Sequence, residues 1–162
     1  MTVADVLAWF LLVAGTFLAL LGASLAAHAL WPAAVERCSA QYGRPVRATL
    51  VGLVTGLPVF AIGAAAADRG KQVPALGVVG VALLLLLLVS AVFGLAGLAR
   101  RIGAGLPSPL DEAQPWRRSL RGGLVLAATF LLPFGGWFVL LPAALVSGFG
   151  AAVMAWRDRG QA

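Results

Sequence analysis

His28 is the chain's only histidine and Cys38 its only cysteine, with Glu36 and Arg37 directly ahead of that cysteine. An imidazole can carry protons near neutral pH, a thiolate can attack an electrophile, and a carboxylate can act as general acid or base. Each needs partners. His28 has no second histidine and no acid near it in the sequence, so it reads as an interfacial residue at the end of an apolar run. Cys38 has no histidine beside it, and a lone cysteine is ordinarily inert packing. A single cysteine also allows no intrachain disulfide and no thiolate metal cluster. The adjacent acids Asp111 and Glu112 lie in a proline-rich loop, where they balance the arginines that follow.

The remaining polar groups inside apolar runs are Thr16, Ser24, Thr49, Thr55, Ser90, Thr129 and Ser147. They are scattered, and each is expected to bond its own helix backbone or a neighbouring helix. Ionisable residues at membrane depth mark catalysis or transport, and this chain has almost none: Asp5 and His28 close the two ends of one run and Asp68 closes another. No catalytic residue, cofactor or metal ligand is assigned, and the reading is of a protein that is not an enzyme.

The elements around these residues are apolar throughout. Of 162 residues, 61% are hydrophobic and 11% charged, with a mean hydropathy of +0.97; soluble domains carry about 25% charged residues. This composition predicts an integral membrane protein, and the polar stretches between runs are too short for a soluble domain. The net charge of +6 comes from arginines in short loops without interleaved aromatics, which argues against nucleic acid and for contact with the lipid bilayer.

The predicted fold is all-α, a polytopic transmembrane helix bundle in a single membrane domain, with hydrophobic segments near 6–30, 46–67, 74–99, 120–132 and 137–156. Polar loops are expected at 32–45, 68–73 and 100–119. The N-terminus lacks a basic start and its apolar run is long, so it reads as a retained span and not a cleaved signal. Trp9, Trp31, Trp116, Trp137 and Trp156 are spaced as interfacial anchors. Arg100, Arg101, Arg117, Arg118 and Arg121 set topology and meet lipid head groups. Small residues supply helix packing: Gly52 and Gly56 in GxxxG spacing on the second segment, and Ala19, Ala23 and Ala27 on the first.

The stretch from Gly122 to Ala155 holds no charge, and one helix over it would reach about 51 Å against a hydrocarbon core of about 30 Å. Pro133, Gly135 and Gly136 interrupt it. Proline lacks the N–H a continuing helix needs, and glycine takes positive φ at little cost, which favours a reversal. A reversal also sharpens the charge asymmetry, because it moves Arg157 and Arg159 to the side of Arg37, Arg44, Arg47, Arg100, Arg101, Arg117, Arg118 and Arg121. Only Arg69 and Lys71 then remain opposite. The last two segments form either a hairpin or a re-entrant pair. By the positive-inside rule the N-terminus lies outside and the C-terminus in the cytoplasm.

From Arg44 onward, over about residues 44–151, the order of motifs resembles the membrane region of bacterial polymer-forming, bactofilin-associated integral membrane proteins. The motifs are Arg44-Pro45, Thr49-Leu-Val-Gly52, Gly77-Val-Val-Gly80, Arg100-Arg101-Ile102-Gly103, Gly123-Leu, Leu132-Pro-Phe-Gly-Gly-Trp137 and Ser147-Gly-Phe-Gly-Ala151. The resemblance implies a multi-pass protein of the bacterial inner membrane that anchors or accompanies other envelope proteins, or self-associates. It transfers no catalytic residues. A different class, a small channel or transporter subunit with the Pro133–Gly136 break lining the pathway, is the alternative.

Overall fold

A computed structural model describes residues 3–106, 108–109, 114, 116–130 and 135–158. The chain is an all-α bundle, α1 (Val3–Leu30), α2 (Pro32–Gln41), α3 (Pro45–Arg69), α4 (Pro74–Ala104), α5 (Trp116–Phe130) and α6 (Leu141–Arg157), the last entered through a π-helical turn at Gly136–Leu140. Proline opens α2, α3 and α4, where its missing N–H costs nothing because the first-turn donors have no helical partner. Four of these helices, counting Gly136–Arg157 as one, are long and apolar enough to cross a membrane.

Close contacts give the helix directions. A Cβ on Gly103 or Gly122 would strike the carbonyls of Arg118 or Ala99, so α5 runs antiparallel to α4. Gly52 against Val146 with Gly150 against Ala48 makes α6 antiparallel to α3, and Gly70 against Gly77 with Gly80 against Ala67 and Gly63 makes α4 antiparallel to α3, so α6 runs parallel to α4. The chain therefore reverses between α5 and α6. From Gly103 back to Pro74, α4 rises about 44 Å, whereas α5 rises only about 18 Å from Arg118 to Phe130. Phe130, the last residue of α5, thus lies short of the α3–α4 turn, inside the height of the bundle.

Several sequence expectations need correction. Residues 32–41 form a helix where a loop was expected. Val35 and Cys38, three apart, give that helix a buried stripe that lies against Ala96 and Gly97 of α4, and this contact offsets the polarity of its other faces. Helix α4 continues through Arg100 and Arg101 to Ala104, and α5 starts at Trp116, taking Arg117, Arg118 and Arg121 into a helix. Ala19 and Ala23 do not face the bundle, for both are exposed. The packed face of α1 is Phe17, Leu20, Ser24 and Ala27, a three-and-four spacing that stays on one side of a helix. A strict four-residue stripe drifts off that side because a turn holds only about 3.6 residues.

Candidate functional site

The polar chemistry gathers at one end, where α1, α4 and α6 finish and α3 and α5 begin. Arg100 Nη2 donates to Glu36 Oε1 at 2.8 Å, joining α4 to α2. His28 sits within electrostatic reach of both, and its Nδ1 is buried without a hydrogen bond among the described residues. Sequence distance had hidden this acid from the histidine. Gln41 Nε2 donates to Asp158 Oδ2 at 2.7 Å and ties the end of α2 to the end of α6. Among the described residues no three of His, Cys, Asp and Glu converge; Asp111 and Glu112 lie outside them.

Tyr42, in the turn between α2 and α3, is buried against Ala48 and Ala151. Burial pushes its phenol up to about 12, because the phenolate would lose solvation there; the nearby Ser147 side chain draws it partly back, and Cys38 adds a smaller upward push. Among the described residues no group meets hydrogen-bond geometry at the hydroxyl; the Ser147 hydroxyl is turned to its own helix and donates to the Ala144 carbonyl at 3.1 Å.

All seven hydroxyls inside the apolar runs behave as expected of helix-bound groups. Thr16 donates to Leu12, Ser24 to Leu21, Thr49 to Pro45, Thr55 to Val51, Ser90 to Leu86, Thr129 to Val125 and Ser147 to Ala144. None of these bonds crosses between helices, so the hydroxyls inside the apolar runs do not link one helix to another.

Glycines do that instead. The Cβ positions of Gly52, Gly94, Gly103, Gly122 and Gly150 each fall on the backbone of a neighbouring helix, so only hydrogen fits there and main chains touch directly. The GxxxG of α3 is engaged within the chain: Gly52 meets the Val146 carbonyl, and a Cβ on Gly56 would lie 3.1 Å from the Phe149 ring. Of these glycines, the sequence marked only Gly52 and Gly56 as packing residues. The Ser147-Gly-Phe-Gly150 run and the Gly94-xx-Gly97 pair carried the missed signal.

At the helix break, Pro133 lies outside the described residues. Gly135 already has helical angles, φ −68° and ψ −43°, and no described glycine has the positive φ the sequence suggested. Gly136 acts by size: it is buried, and a Cβ there would strike the Phe130 carbonyl. The turn after it widens into π geometry, with the Leu141 N–H reaching back to the Gly136 carbonyl, next to Pro142, which has no N–H to offer Phe138. Aromatic rings fill the space. Phe17 stacks on Phe130 with centroids 6.1 Å apart and meets Trp137 edge-on at 5.9 Å. The void beneath, lined by Phe17, Leu20, Ser24, Leu95, Gly123 and Phe130 among others, is about 20 Å³, room for one water.

The aromatic and arginine residues divide. Trp9, Trp116 and Trp156 are exposed, Trp31 is exposed with an edge on Phe93 at 5.6 Å, and Trp137 is turned partly inward against Phe17. Arg117 covers the Trp116 ring at 5.7 Å. Arg101 and Arg118 are exposed and Arg121 half-buried. No protein-family model, curated protein or solved structure matches the chain.

Proposed function

We propose that the chain is a non-enzymatic, multi-pass protein of the bacterial inner membrane that anchors or accompanies other envelope proteins, binding them helix to helix. The observation that carries this reading is the outward face of α1. Gly15, Ala19, Gly22, Ala23 and Ala26 are all exposed, and a Cβ on Gly15 or Gly22 would meet nothing within 4 Å. Small residues at such spacing let a second helix come close in a bilayer, where van der Waals contact drives association. Elsewhere in the bundle glycines of this kind already hold a neighbouring backbone. On α1 they hold none.

The bundle's charge distribution supports the orientation. Arg37, Arg44, Arg47, Arg100, Arg101, Arg117, Arg118, Arg121 and Arg157 share one end, opposite Arg69 and Lys71; Arg159 lies outside the described residues. On the positive-inside rule the basic end faces the cytoplasm. The channel alternative draws on the helix break, but within one chain the break is packed by three aromatic rings and the void beside it is water-sized.

Crosslinking in native membranes followed by purification tests the anchor reading. A stoichiometric partner, lost on Gly15→Leu or Ala19→Leu, is the expected result. Solute flux through liposomes holding the purified chain, with no partner found, would overturn it. For orientation, single cysteines at Gln72, Arg101 and Asp158 on a Cys38→Ala background are exposed to an impermeant thiol reagent from outside. Labelling at Gln72 alone is expected, and labelling at Arg101 or Asp158 instead inverts the assignment.

A further inference from the structure

A cleft of about 250 Å³ lies at the basic end between α3 and α6, lined by Gln41, Arg47, Val51, Met154, Arg157 and Asp158. The geometry points to a binding site for the phosphodiester head group of an anionic membrane phospholipid. This rests on the chain lying in a bilayer and is independent of whether it anchors partners or conducts solutes.

Charge and depth are both ordered along the cleft. Arg47 and Val51 are one turn apart on α3, and Arg157 and Met154 nearly one turn apart on α6, so each guanidinium stands over an apolar side chain one turn deeper. Helices α3 and α6 are antiparallel, with Gly150 seated between Ala48 and Gly52, which sets Arg157 outermost, Arg47 and Met154 at about one level a turn below it, and Val51 a turn deeper toward the bundle's middle. A lipid has this same sequence of groups, phosphate at the interface and acyl chain beneath. A free anion would use only the upper half of the cleft.

The arginines are uncommitted. The ion pairs among the described residues join Lys71 to Asp68 and Arg100 to Glu36, which leaves Arg47 and Arg157, both exposed, without a carboxylate partner. The one acid at the mouth, Asp158, already accepts from Gln41. Its carboxylate neutralises part of the cleft but not both cations, and the balance favours a singly charged phosphodiester over a dianion. Basic pockets between transmembrane helices bind anionic head groups in this way.

The test uses the full chain purified in neutral detergent, with bound lipid counted by native mass spectrometry. At matched concentrations, phosphatidylglycerol is expected to remain bound one per chain while phosphatidylcholine is not. Arg47→Gln and Arg157→Gln should each weaken phosphatidylglycerol binding about tenfold. Asp158→Asn, which keeps an acceptor for Gln41, should strengthen it severalfold. Arg37→Gln removes an equal charge from the same end but on α2, and should leave binding unchanged. Equal retention of phosphatidylcholine, or an equal loss on Arg37→Gln, would show general charge attraction and overturn the site. Inorganic phosphate displacing the lipid at equimolar concentration would overturn the lipid assignment in favour of a free-anion site.

Discussion

Helices α1 and α6 are built from the same apolar alphabet, yet they pack by different means. Helix α6 buries Ala144, Ser147, Gly148, Gly150, Ala151 and Ala155 and lies between α3 and α4 with backbone against backbone. Helix α1 is longer but buries only Phe17, Ser24 and Ala27, and it is held by the Phe17 ring wedged between Phe130 and Trp137. In a bilayer the lipid tails are as apolar as the side chains, so burying a leucine gains little, and close van der Waals approach decides which helices stay together. The difference predicts a firm three-helix centre and a loosely attached first helix.

The sharpest way to break that contrast is to widen the centre. Gly52→Leu or Gly150→Leu must displace the Val146 or Ala48 carbonyl, main-chain atoms that cannot rotate away, and the cost is expected at about 3 kcal/mol or more, enough to prevent assembly. Gly22→Leu on α1, where a Cβ meets nothing, should leave the melting temperature in detergent almost unchanged. Equal destabilisation by both would remove the distinction between centre and periphery.

A second effect is set by pH. Tyr42 fastens α2 and α3 to α6 through its contacts with Ala48 and Ala151, and burial holds its phenol at about 12 from a usual value of 10. The folded chain therefore prefers the protonated form. This contribution is complete below pH 10 and is lost as pH rises from 10 through 12, a change on the order of 2–3 kcal/mol. Unfolding measured across that window should show the loss, and Tyr42→Phe should flatten it. A profile unchanged by Tyr42→Phe would place the alkaline sensitivity elsewhere.

Next in size is the wedge. Phe17→Ala removes the ring between Phe130 and Trp137 and leaves a cavity next to the existing water-sized void. Such truncations cost about 3–5 kcal/mol in soluble cores. Here lipid can replace part of the lost contact, so about 2 kcal/mol is expected, with the loss felt as detachment of α1 and not of α6. Faster proteolysis of α1 alone in detergent would report it.

What could be read from the sequence follows from which forces act locally. Apolar runs, prolines at helix starts and the charge asymmetry are local, and they gave α1, α3, α4, α5 and α6 and the reversal before α6, but not α2. The hydroxyls also went as read, because Thr and Ser bond a carbonyl within their own turn. Contacts between helices are not local. The Ala19–Ala23–Ala27 pattern looked like a packing face, but Phe17 and its ring partners rotate α1 so that only Ala27 meets the bundle. Positive φ was expected at Gly135 and Gly136; instead Gly135 is helical and Gly136, lacking a side chain, leaves room for the Phe130 carbonyl. Likewise the amphipathic turn of α2 is too short to stand out until Gly97 of α4 supplies the slot for Cys38. The cleft between Arg47 and Arg157 joins residues far apart in the chain, and nothing in either local sequence marks it.

The smallest effect on the fold is the most informative about α1. Ala19→Leu and Ala23→Leu place larger side chains on an exposed face, and each should change stability by less than about 0.5 kcal/mol. Ala27→Leu differs, since Ala27 is 6% exposed against Val35 and Ala96, and overpacking there should cost about 1–3 kcal/mol. Thermal unfolding in detergent separates the two classes: Ala27→Leu lowers the midpoint and Ala19→Leu does not. In native membranes the order reverses. Ala19→Leu fills the groove that a partner helix would enter and should abolish crosslinking to that partner, while a folded fraction of Ala27→Leu retains it. If Ala19→Leu left both stability and crosslinking intact, α1 would face lipid alone, and its small-residue stripe would have no role in association.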